Sequence, residues 1–153
     1  MQKQLFSFTL FLVIAFVFVT GCGKDDNPVV VKTKTQLVSQ NTWRFSSATA
    51  SGTDVSNQDP PFAACRKDNI LTFAVGGSGN VNEGPTSCNP AENNSFTWNF
   101  ASSETILHVS IALYPNAPND FTIVSLTETN LIVSFPYTPP AGPSIQIVIT
   151  FIH

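Results

Sequence analysis

The chain has 153 residues, enough for one domain that buries roughly two-thirds of its unfolded surface. Charged residues make up only 11%, phenylalanine occurs 13 times, and the formal charge is −3 with no basic cluster. This balance excludes a nucleic-acid-binding surface, which needs Lys and Arg to neutralise phosphates.

Met1-Gln2-Lys3-Gln4 carries one positive charge, and Leu5–Val19 is uncharged and dominated by Phe, Leu, Val and Ile. A positive start followed by an apolar run of this length reads as a signal peptide over residues 1–21. It is short for a bilayer-spanning helix, which needs about 20 apolar residues. The run ends in Val19-Thr20-Gly21-Cys22, which resembles the lipobox of bacterial lipoproteins. The resemblance implies cleavage after Gly21, diacylation of the Cys22 sulfur, and Cys22 as the mature N-terminus. The membrane is then a partner through a covalent lipid, held because each buried methylene contributes about 0.8 kcal/mol. An ordinary secretory signal with an incidental cysteine is the alternative.

Gly23 stands where an inner-membrane retention signal would place Asp, so the expected location is the outer membrane, on its periplasmic or cell-surface side. Lys24-Asp25-Asp26 reads equally as a short surface-export signal or as a polar tether. Residues 22–35 are read as the lipidated N-terminus and a flexible linker, with Pro28 and no aromatic residue. Even fully extended, the 13 residues Gly23–Thr35 reach about 45 Å at roughly 3.5 Å per residue.

Residues 36–153 carry the folded domain. Thr35–Asn41 suits one or two helical turns or a lead into the first strand. In Thr42–Ser46, Trp43 and Phe45 share one face and Arg44 takes the other. Ser47–Ala64 is a long connection rich in Ser, Thr, Asp and Pro, a length that marks function or mobility. Asn69–Val75 is a strand, Gly76–Asn80 a glycine-rich hairpin turn that needs positive φ, and a second short strand follows. In Ser95–Phe100 every second residue is a large aromatic, which predicts a sheet with one buried side. Glu104–Leu113 alternates Leu107, Val109, Ile111 and Leu113 against His108, Ser110 and Ala112. Phe121–Leu126, a turn at Thr127–Asn130 and Leu131–Tyr137 form a hairpin. Pro136, Pro139, Pro140 and Pro143 punctuate the next loop, and Ser144–Ile152 closes the series. About eight short strands with turns between them predict an all-β antiparallel barrel, with a β-sandwich as the alternative.

These residues resemble the small lipocalin-like domains of bacterial lipoproteins. Those domains begin with a Trp on the first strand, as Trp43 does here. They continue with Cys65-Arg66-Lys67-Asp68-Asn69, an apolar strand ending in Phe73, a glycine turn at Gly76–Gly79, and Gly84 through Cys88. A Trp-x-Phe strand, Trp98 and Phe100, follows. The resemblance spans roughly Gln36–His153 and implies an eight-stranded up-and-down barrel, but no activity.

With Cys22 assigned to lipid, Cys65 and Cys88 remain as an even pair in an exported chain, which reads most simply as a disulfide. A reactive thiol or metal pair is the alternative, and neither cysteine sits in a Cys-x-x-Cys. His108 points to solvent or a polar lumen without a partnered base, His153 ends the chain, and the carboxylates fall in loops and at strand ends. No nucleophile elbow, phosphate loop or metal signature is visible, so no catalytic residue, metal or cofactor beyond the lipid is expected. Trp43, Phe45, Phe73, Phe96, Trp98 and Phe100 either line a ligand pocket or fill the barrel. An eight-stranded barrel stands near the size at which both are possible. The expected function is a non-enzymatic envelope lipoprotein whose barrel binds a small apolar ligand or an envelope component. The alternative is a filled barrel that contacts a protein partner through its loops.

Overall fold

A computed structural model describes residues 31–153. The signal peptide, Cys22, Lys24-Asp25-Asp26 and most of the tether lie outside the described residues. The chain forms β1 (Thr42–Ala50), β2 (Thr53–Asp54), β3 (Ile70–Phe73), β4 (Ser78–Asn82), β5 (Asn94–Ala101), β6 (Ile106–Val109), β7 (Asp120–Leu126), β8 (Asn130–Tyr137) and β9 (Ile145–Ile152). Two short helices, α1 (Lys34–Ser39) and α2 (Ala64–Lys67), complete it. All pairings are antiparallel between neighbours, and β1 also pairs β9, so the sheet closes on itself. The closed ring consists of β1 and β3 through β9, with the two-residue β2 extending β1 at its edge. The architecture is therefore the eight-stranded up-and-down barrel, and closure removes the sheet edges.

Alternation explains the wall. On β5 the Phe96 and Trp98 side chains are buried while Ser95 and Thr97 are exposed; on β9, Ile147, Ile149 and Phe151 are buried between more exposed neighbours. The rings then pack edge to face in the interior, with Phe73 5.4 Å from Phe96 and 5.6 Å from Trp98, and Phe121 5.2 Å from Phe135. Such pairs each add about 0.5–1.5 kcal/mol beyond the area they bury.

The registers divide the barrel into two unlike ends. At one, the connections are tight: residues 74–77, 102–105 and 127–129. Helix α1 crosses this end, touching β3 and β7. Thr33 caps α1 in a capping box with Gln36, so the helix begins within the last residues of the segment read as tether. The fully buried Trp43 donates its indole N–H to the Val38 carbonyl of α1 at 2.7 Å. Lys34 Nζ and Gln40 Nε2 donate to the Glu104 and Glu128 carbonyls of two of the turns, at 2.6 and 2.8 Å. The other end carries the long connections, residues 51–69, 83–93, 110–119 and 138–144, and is the open end.

Three local expectations are corrected. Strand β1 runs on to Ala50 through a bulge between Phe45 and Ser47, because its last residues pair with β9 and β2. The strand expected at Glu104–Leu113 leaves the sheet after Val109, where Ser110 turns its hydroxyl to accept from Thr97 N. In the glycine turn only Gly77 takes positive φ, +84°. Gly79 lies instead within β4, opposite Phe96, and a Cβ there would run into the Phe96 ring.

A candidate ligand cleft at the open end

The Cys-to-Cys unit assembles at the open end. Cys65 on α2 and Cys88 on the 83–93 connection are bridged, their Cα atoms 5.1 Å apart. Asp68, one residue past α2, accepts from Thr86 N at 2.8 Å through Oδ2, while its Oδ1 is buried without a partner. Gly84 passes against Asp68 so closely that any side chain there would collide with it. Glu83 orders the rest of the connection, its Oε1 accepting from Cys88 N and Glu92 N at 2.8 Å each. Finally Arg66 and Glu92 form a bidentate ion pair, with Arg66 Nε 3.0 Å from both carboxylate oxygens and a shorter contact from Nη2. Planar fork-to-fork pairing of this kind fixes geometry as well as charge.

This unit forms one bank of a half-open cleft of about 220 Å³. Arg66, Glu92 and Asn94 supply its polar side, and Val81, Ile111, Leu113, Tyr114 and Pro115 its apolar side. Ile111 and Leu113 continue the apolar alternation of β6 beyond the sheet, so the residues expected to cover a strand face line the cleft instead. Tyr114 is buried, and desolvation holds its phenol well above the ordinary value of 10.0, with Arg66 acting weakly in the opposite direction. The phenol is therefore neutral, a hydrogen-bonding group on an otherwise apolar wall. The arrangement suits a small amphipathic molecule: an apolar body against Val81, Ile111 and Leu113, and polar atoms at Arg66, Glu92 and Asn94. Its volume is below the roughly 300 Å³ at which drug-sized pockets begin.

The aromatic residues singled out from the sequence lie elsewhere. Trp43, Phe73, Phe96 and Trp98 are buried in the core, and Phe45 and Phe100 pack against it partly exposed. Trp98 donates its indole N–H toward the Ala74 and Ser78 carbonyls, at 3.0 and 3.1 Å, and Phe100 lies 5.5 Å from its ring. None of the six lines the cleft. Sequence reading missed Arg66, Glu92, Ile111, Leu113 and Tyr114; the signal for the first pair was the disulfide, which brings the two connections together. His108 pairs with Asp120 across β6 and β7, Nδ1 to Oδ1 2.6 Å, on the outer surface of the barrel. Among the described residues no hydroxyl or thiol is hydrogen-bonded to that imidazole, and no group of three or more His, Cys, Asp or Glu could hold a metal.

A closed antiparallel barrel with one helix-capped end and one open, looped end defines a lipocalin-type fold. The family model described as the lipocalin-like domain matches residues 40–133, and the chain belongs to that family. Among solved structures, the chain is similar to the bovine odorant-binding protein from nasal mucosa, at 14% identity over 82% of this chain and 76% of that one, with a TM-score of 0.47. A deswapped triple mutant of bovine odorant-binding protein gives 16% identity over 74% and 72%, TM-score 0.46. A complex of the bovine protein with a selenium-containing odorant gives 16% over 80% and 73%, TM-score 0.45. No curated protein matches the chain.

Proposed function

We propose that this protein is a non-enzymatic lipoprotein of the bacterial outer membrane that binds a small amphipathic or apolar ligand at the open end of its barrel. The observation that carries this reading is the cleft, lined together by the apolar Val81, Ile111 and Leu113 and by the Arg66–Glu92 pair. The disulfide, the Asp68–Thr86 bond and Glu83 tie together the connections that border the opening, and preorganisation of this kind lowers the cost of binding. Cys22 in Val19-Thr20-Gly21-Cys22 supports lipid anchoring, and Gly23 after it supports the outer membrane. Lipidation and ligand capture are tested together by non-denaturing mass spectrometry of the full-length product extracted from its own envelope. The expected protein mass corresponds to loss of residues 1–21 and gain of acyl chains on Cys22, with a further small molecule retained. Cys22→Ser is expected to leave the chain unprocessed, and Arg66→Met to release the small molecule. An unlipidated mass refutes the anchor; a clean apo mass refutes the ligand and turns the search to a protein partner at the loops.

A further inference from the structure

The outer wall of the barrel changes character around the ring. On β4 and β5 the outward positions are Ser78, Asn80, Asn82, Ser95, Thr97 and Asn99, exposed hydroxyls and amides. On the far side, where β9 stands opposite β5 in the ring, β8 and β9 hold no charged residue at all. Because Leu131, Val133, Ile149 and Phe151 point inward, alternation turns Ile132, Val148 and Ile152 outward. Val124 joins them at the bulge of β7, next to Ser125, which pairs with Ile132. Val124 and Ile152 are 58% and 40% exposed, large apolar side chains left in water.

Two features border this patch. Arg44 on β1 is exposed and stands opposite Ile152 in the sheet, and among the described residues no carboxylate lies within ion-pair distance of it. The folded unit begins at Lys32, whose Nζ lies 3.0 Å from Glu128 Oε1 on the 127–129 turn between β7 and β8. The chain therefore enters the domain at the helix-capped corner of this same wall. The Glu128 carboxylate at that corner is paired with Lys32, which leaves the charge of Arg44 unopposed beside the patch.

We propose that the outer face of β7, β8 and β9 rests on the membrane surface, its aliphatic side chains in the headgroup region and the Arg44 guanidinium on a lipid phosphate. The inference rests on the lipid anchor of the proposed function. Gly23–Val31 puts nine residues between Cys22 and Lys32. That tether spans about 35 Å at full stretch and about 17 Å as a flexible chain. So short a link holds the domain at a high effective concentration, and a weak face is enough to orient it. The planar fork of a guanidinium matches phosphate oxygens, and a face without free carboxylates meets no repulsion from them. Entry of the chain beside the patch is what favours lipid over a protein partner here. The cleft, built from β4, β5 and the 111–115 segment, then lies on the wall turned away from the bilayer and takes its ligand from the aqueous side.

The test is methyl NMR of the full-length protein in nanodiscs of phosphatidylethanolamine and phosphatidylglycerol doped with a gadolinium-chelating lipid, with the acyl chains first checked by mass. Val124 and Ile152 are expected to lose their signals, while Thr97 on β5 and Val75 on the exposed 74–77 turn keep theirs. Arg44→Glu is expected to return both signals, and their continued loss overturns the phosphate contact. The four native signals decide the face whether or not that variant folds. Loss at Val75 instead shows the helix-capped end on the bilayer and overturns the proposal; equal loss at all four residues shows a freely turning domain and overturns it too. Loss at Val124 and Ile152 that needs no gadolinium and grows with the number of copies per disc marks a second copy on the face, which overturns the lipid assignment. An unlipidated mass sinks the anchor and this inference together, whereas an acylated protein with all four signals intact sinks this inference alone.

Discussion

Replacing Trp43 by Phe tests whether one indole closes the helix-capped end. The ring is fully buried, its N–H reaches Val38 O at 2.7 Å, and its centroid lies 3.9 Å from that of His153. The substitution removes a hydrogen bond with a net contribution of about 1 kcal/mol. It also removes part of a packed ring, which costs roughly another 1–2 kcal/mol, below the 3–5 kcal/mol of a full truncation. A total of about 2–3 kcal/mol, at a urea dependence of about 2 kcal/mol per molar, lowers the denaturation midpoint by roughly 1–1.5 M. Trp98→Phe is the control, because that indole bonds the Ala74 and Ser78 carbonyls around the 74–77 turn and has no hydrogen bond to α1. Hydrogen exchange separates the two: Trp43→Phe is expected to expose the α1 amides, including Leu37 N, which donates to Thr33 O at 2.9 Å. Trp98→Phe should leave them protected. A midpoint shift under about 0.3 M with α1 still protected would refute the reasoning and show that Lys34 and Gln40 suffice to hold the helix.

Other predictions follow from single contacts. Replacing both Cys65 and Cys88 by Ser opens a loop of sequence separation 23 and is expected to cost about 3 kcal/mol in urea denaturation; a loss under about 1 kcal/mol contradicts the chain-entropy account. Gly79→Ala forces a methyl into the Phe96 ring and should cost about 1–3 kcal/mol, read as a lowered Tm. Gly76→Ala, where a Cβ meets nothing within 4 Å, should stay within about 0.5 kcal/mol of the native protein, and equal losses at the two sites would sink the distinction. Tyr114 sets an alkaline limit. Below pH 10 folded and unfolded chains both hold its phenolic proton, but above pH 10 the unfolded chain releases it while burial keeps it on in the fold. Stability should therefore fall as pH rises above 10, and Tyr114→Phe should flatten that decline; an unchanged slope would show that Tyr114 is not its source.

The barrel was legible because its strands announce themselves two residues at a time. Phe96 and Trp98 against Ser95 and Thr97, or Ile147, Ile149 and Phe151 against Gln146, Val148 and Thr150, leave little freedom about which side faces inward. The pattern fails where alternation serves another purpose. Ile111 and Leu113 keep the period of β6 after the backbone has left the sheet, so periodicity alone extends the strand by four residues too many. It fails also where a residue is buried by a connection: Phe62 sits in a stretch rich in Ser, Thr, Asp and Pro, and nothing local distinguishes it from an exposed side chain.

The motif that suggested the family has a structural explanation in which each residue type answers a neighbour. Cys65 needs Cys88; Asp68 needs the Thr86 amide and a glycine at 84 to make room for it; Gly79 makes room for Phe96. These requirements concern how the 83–93 connection and the β3–β5 wall are held, and none of them specifies what is bound. The cleft is a by-product of that assembly, finished by residues outside the motif's fixed positions: Glu92, 26 residues from Arg66, and the 111–115 segment. The separation has a consequence for specificity. Substituting Ile111, Leu113 or Asn94 alters the cleft wall while leaving the disulfide and the Asp68–Thr86 bond in place, so under the proposed function such changes should shift ligand preference at little cost in stability.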